Sequence, residues 1–73
     1  MKNGNIHPKK LLHTHWTKID PQAKEKHFTV IEVEYDEQQR VVLCVIEAVI
    51  NNKCYSIDWR ALEDRLVWKI GWQ

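Results

Sequence analysis

Four tryptophans share 73 residues, and three of them, Trp59, Trp68 and Trp72, fall within the last fifteen. The fourth, Trp16, stands alone near the start. Each indole brings a large apolar area and one N–H that needs a partner once buried. A chain this short either builds its core from such rings or exposes some of them as a gripping surface. Its length allows one domain, and a domain of this size buries only a modest share of its unfolded surface. Large core residues are the visible remedy here, and a dimer is the next. The chain is 44% hydrophobic and 29% charged, which fits a folded globular protein and argues against disorder.

Residues 1–9 are polar, contain Gly4 and Pro8, and show no periodicity, so they read as a flexible leader to a single globular domain over residues 10–73. The leader has no apolar stretch behind its positive charge that would make a signal peptide, and no run is long enough to span a bilayer. The expected address is the cytoplasm.

Alternation organises the middle of the chain. Residues 10–18 have strand character, and Asp20-Pro21 opens a loop that extends to Lys26. Residues 27–36 alternate, with Thr29, Ile31, Val33 and Tyr35 on one face and Phe28, Val30, Glu32 and Glu34 on the other. Residues 40–50 are apolar on both faces except for Glu47, as in a central strand covered on both sides or one bent around a small barrel. Asn51-Asn52 suits a two-residue hairpin turn, because asparagine tolerates positive φ. That turn predicts Ile46 opposite Ile57 and Cys44 opposite Trp59. Cys44 and Cys54 would then lie roughly 16 Å apart, beyond disulfide reach, leaving two free thiols.

After Trp59 the pattern changes. Asp58 is a plausible N-cap for a short helical stretch, with Ile57 and Leu62 as a hydrophobic staple. One continuation is a helix to Ile70, stopped by Gly71. The other is an extended tail that aligns Trp68, Ile70 and Trp72 at period two, and it is preferred because it gives both indoles a common role. The expected fold is mainly β: a small SH3-like antiparallel barrel or roll with a short helical turn before its last strand. That strand would pair with the first. The alternative is an α+β fold, a four-stranded antiparallel meander with a C-terminal helix across one face.

The segments Leu11-Leu12-His13-Thr14-His15-Trp16-Thr17, Glu25-Lys26-His27-Phe28, Glu47-Ala48-Val49, Ile57-Asp58-Trp59-Arg60-Ala61-Leu62 and Trp68-Lys69-Ile70-Gly71-Trp72 resemble the small tryptophan-rich proteins of bacteria. The likeness runs from Leu11 to Trp72. It brings no activity, ligand or catalytic residue with it, because no function is assigned to that family. The residue before the first tryptophan is commonly lysine in the family, whereas here it is His15.

Chemistry is sparse. His13 and His15, about 7 Å apart on one strand face, could share a metal, with His27, Cys44 or Cys54 as further ligands. No paired-ligand spacing supports this, and two surface histidines are the plainer reading. Ser56, the single serine, has no histidine near it in sequence, and Cys44 sits in a core-like run. The chain therefore reads as a non-enzymatic binding module without a cofactor. Its groove would be formed by Trp16, Trp68 and Trp72, with Lys10, Lys18, Lys24, Lys26 and Lys69 supplying positive charge. Residues 1–27 carry six lysines against two acids, whereas the remainder has five basic residues against eight acids. A protein partner or a homodimer fits such a surface. Single-stranded nucleic acid is the alternative, since stacking and cations suffice without base readout, but a net charge of +1 makes that attraction weak.

Overall fold

The computed structural model describes residues 7–73; the first six residues of the expected leader lie outside the described residues. Five antiparallel strands, β1 (His15–Gln22), β2 (Glu25–Tyr35), β3 (Val41–Ala48), β4 (Cys54–Ser56) and β5 (Trp68–Ile70), form one sheet in the order β4-β3-β2-β1-β5. The fold is mainly β, and the first and last strands pair, as the sequence predicts. The sheet is open, with β4 and β5 as its two edges. Among the described residues the only helical segments are short 3-10 turns at Pro8–Lys10 and Trp59–Glu63. No helix crosses residues 60–71, so the tail takes its extended form.

The strands begin and end differently from the simple alternation. The turn at Pro8–Lys10 and the left-handed His13 (φ 69°) occupy the start of the expected first strand, which begins only at His15. The predicted loop after Ile19 is a tight hairpin, with Gln22 opposite Glu25 and both Ala23 and Lys24 at positive φ. Residues 18–21 of β1 face the single residue Lys26 of β2, and Pro21, which has no N–H to donate, falls in this out-of-register stretch.

Two bulges decide which side chains reach the core. Ile31 is an extra residue in β2, between the pairs Val30 with Ile46 and Glu32 with Val45. Side chains alternate, so one inserted residue switches faces. Phe28 and Val30 therefore share the inner face with Val33, although strict alternation separates them. Val42 plays the same part in β3, turning Val41 toward the core and leaving itself 61% exposed.

The core comprises Leu11, Trp16, Phe28, Val30, Cys44, Ile46, Ala48, Leu62 and Trp68. Phe28 meets the Trp68 ring edge-on, with centroids 5.2 Å apart. Leu62 enters from the turn that Asp58 caps, as expected, by accepting a hydrogen bond from the Arg60 amide (3.0 Å). The β3-β4 connection is longer than two residues. Val49 donates to the His27 carbonyl and Asn52 to the Ala48 carbonyl, so Ile46 faces Tyr55 rather than Ile57. The slip of two residues keeps every side chain on its predicted face. Both cysteines are free, Cys44 buried and Cys54 exposed. No helix among the described residues is long and apolar enough to cross a membrane.

Candidate binding site

The three tryptophans expected to form a groove do not share a surface. Trp16 (2% exposed) and Trp68 (8%) lie in the core. The Trp16 Nε1–H is satisfied locally: it donates to Thr14 Oγ1 at 2.8 Å, and that hydroxyl donates to the Leu11 carbonyl at 2.6 Å. Trp72 is 47% exposed and lies on the other face of the sheet. Period two would have placed it beside Trp68 and Ile70, but Gly71 at φ +82° turns the chain across the edge of β1.

This crossing is tied down at several points. The Gly71 amide donates to the His15 carbonyl at 2.7 Å, and Thr17 Oγ1 donates to the Gly71 carbonyl at 2.7 Å. The Gln73 amide donates to the same hydroxyl at 2.9 Å, which explains a threonine buried on an outer face. Trp72 Nε1 donates to the Phe28 carbonyl at 3.1 Å, and the indole stacks on the His15 imidazole with centroids 4.0 Å apart. The His27 ring lies 5.9 Å from the indole, and its Nε2 bonds the Gln73 carbonyl at 3.1 Å. One indole face is thereby fixed in orientation and left open to solvent.

Beside this platform lies a hollow of about 470 Å3, between the Pro8–Lys10 turn and the end of β5. Trp16, Thr14 and Ile70 form its walls, and His7, Lys10 and His15 its polar rim. His15 thus belongs to both the hollow and the platform. The lysines are more scattered than the sequence reading supposes. Lys10 reaches the hollow, and Lys69 lies opposite Thr17 on the platform's face. Lys18 covers the buried Trp68 ring at 5.9 Å, Lys24 sits in the hairpin turn, and Lys26 is an exposed residue of β2.

A family model described as tryptophan-rich protein (DUF2389) matches residues 14–73. The chain belongs to this family. The resemblance read from the spaced tryptophans is thereby borne out, and all four lie inside the matched segment. No curated protein and no solved structure gives a significant match. In this tryptophan-rich protein the hollow's walls are formed within the matched segment, whereas His7 and Lys10 precede it.

The metal reading loses its geometry. His13 sits in a left-handed turn ahead of the strand and His15 is stacked on Trp72, so the two do not share a strand face. Among the described residues no group of three or more potential ligand side chains converges. Burial pushes the Cys44 thiol above its ordinary range, and the nearby Asp58 charge acts in the same direction.

The polar cluster around Glu25 is not legible in the sequence. Its carboxylate accepts from Asn51 Nδ2 at 2.7 Å and from the Tyr55 hydroxyl at 2.7 Å. These bonds hold the Glu25 carboxyl below its usual range and push the Tyr55 hydroxyl up. The cluster joins the tip of the first hairpin to the β3-β4 loop, a tertiary relation without any local spacing signal.

Proposed function

We propose that this tryptophan-rich protein is a non-enzymatic binding module that engages another protein through the Trp72 platform and the hollow next to it. The observation that carries this reading is the half-exposed Trp72 ring, oriented by its bond to the Phe28 carbonyl and its stack on His15. Aromatic anchors held rigid before contact lose little entropy on binding and dominate many interfaces. The hollow has a volume suited to one or two guest side chains, with apolar walls and the cationic Lys10 at its rim. An SH3-like scaffold, which presents ligand sites on its strands and loops, is compatible with the strand order and the 3-10 turn before β5. Catalysis has little support: Cys44 is buried with a raised thiol pKa, and Ser56 lies on the edge strand.

Single-stranded nucleic acid is the second reading, favoured by an open indole face on the same side of the sheet as Lys69. Immobilised wild-type protein and a Trp72→Ala variant, checked for folding by circular dichroism, separate the two in lysate capture with and without nuclease. Protein capture that survives nuclease and is lost in Trp72→Ala supports the first reading. Capture abolished by nuclease supports the second, and capture equal in both proteins rejects the Trp72 surface.

A further inference from the structure

A second concave region shares no lining residue with the Trp72 platform or the hollow beside it. It is a groove of about 710 Å3 along the outer edge of β3, bordered by Arg40, Val42, Ile57, Trp59 and Arg60. It exists because β4 is short. The last β3-β4 pair is Val45 with Ser56, and the chain adds one more bond, Ile57 N–H to the Cys44 carbonyl at 2.9 Å. Asp58 then caps the 3-10 turn and draws the chain off the sheet. On its other side β3 continues, with Leu43 opposite Glu34 and Val41 opposite Tyr35. Residues 41–43 are thus paired with β2 and, among the described residues, have no strand on the groove side.

An open strand edge is a template for another extended chain, and proteins normally blunt or cover such edges. Here the Val42 bulge limits the free stretch to a few residues, so a long strand cannot propagate along it. The walls add chemical selectivity. Val42 and the partly buried Trp59 and Ile57 offer apolar contact. The Arg60 guanidinium lies over the Trp59 ring at 5.9 Å. Among the described residues the only ion pair is Arg40 with Asp36 at 2.9 Å, which leaves Arg60 without a carboxylate. The two acids bordering the groove are already engaged: Asp58 takes the Arg60 amide, and Asp36 takes the Gln38 and Arg40 amides.

We infer that the free edge of β3 at residues 41–43 accepts a short extended segment of another protein, added as a strand, with an acidic side chain paired to Arg60 and an apolar one against Trp59. A guanidinium favours a planar carboxylate that it can hold by two hydrogen bonds. The backbone edge favours an extended peptide over a compact anion.

The test uses a blocked five-residue peptide alternating threonine and valine with a central glutamate, titrated into the 15N-labelled full chain. The expected result is a saturable shift of the residue 41–43 amides and the Trp59 indole, with the Trp72 indole unmoved. Arg60→Ala, or glutamine in the peptide, should weaken binding about tenfold, the loss typical of one charge-assisted hydrogen-bonded pair. A peptide with alternate amides N-methylated should not bind, which tests the strand edge without altering the protein. The inference is overturned if those amides stay fixed at millimolar peptide, if the N-methylated peptide binds equally, or if inorganic phosphate alone reproduces the shifts.

Discussion

The Trp72 indole lies nearly parallel over the His15 imidazole, 4.0 Å between centroids and 12° between planes. The two residues come from the last and first strand regions and meet only because Gly71 carries the chain from the β5 edge onto the outer face. This crossing separates Trp72 from Trp68, its neighbour at period two.

Gly71 is therefore the residue to test first. An added Cβ would meet only Gln73 Nε2 at 3.9 Å, so space is not the obstacle. The left-handed backbone is, and Gly71→Ala should cost about 1–2 kcal/mol in urea unfolding. The same variant should increase the exposure of Trp72 to acrylamide. Gly71→Asn, which tolerates positive φ, should lose less.

Trp16 and Trp72 should respond very differently to truncation. Trp16→Ala opens a cavity in the core and leaves the Thr14 hydroxyl oxygen without its indole donor, at a cost of about 3–5 kcal/mol. A small domain has little more than that to lose, so cooperative unfolding should disappear from its denaturation curve. Trp72→Ala removes a half-exposed ring and one hydrogen bond, roughly 1–2 kcal/mol, and should retain a cooperative transition.

Acid should find the Glu25 cluster. The folded-state pKa of Glu25 lies below its ordinary 4.5, so its contribution is fully present above that value and is lost as pH falls through the folded value. Urea midpoints of the wild type should drop over this acid range, and those of Glu25→Gln should drop less. Tyr55, raised above its ordinary 10.0, gives the opposite sign: its contribution is present below that pH and fades above it. Tyr55→Phe should flatten the alkaline limb.

Thiol titration should resolve the two cysteines. Exposed Cys54 should react with a disulfide reagent in the native protein. Cys44, buried and with its thiol pKa pushed up, should react only after denaturation. Reaction of both thiols at one native rate would contradict the placement of Cys44 in the core.

Much of the fold was legible because it follows from local chemistry. The alternation around Phe28, the doubly apolar run through Cys44 and Ile46, the Asp58 cap and the extended stretch at Trp68 and Ile70 each carry their signal within a few residues. The candidate site was legible in part. Lys10 and Trp16 do border one hollow, and Trp72 is the exposed indole. Its separation from Trp16 and Trp68 was not recoverable, because parity along a strand is reset by each bulge or left-handed residue. Ile31, Val42, His13, Ala23 and Lys24 look ordinary in the sequence, and their conformations are imposed by the strands on either side.

The sequence by itself determined the class of the fold, the antiparallel order of its middle strands, the family and the fact that large rings must stabilise a small core. Local propensity and hydrophobic period are sufficient for these. The tertiary structure decided which ring is buried and which is offered to solvent. That depends on Thr17, His15 and the Phe28 carbonyl capturing the chain after Gly71, contacts between residues more than forty positions apart in sequence.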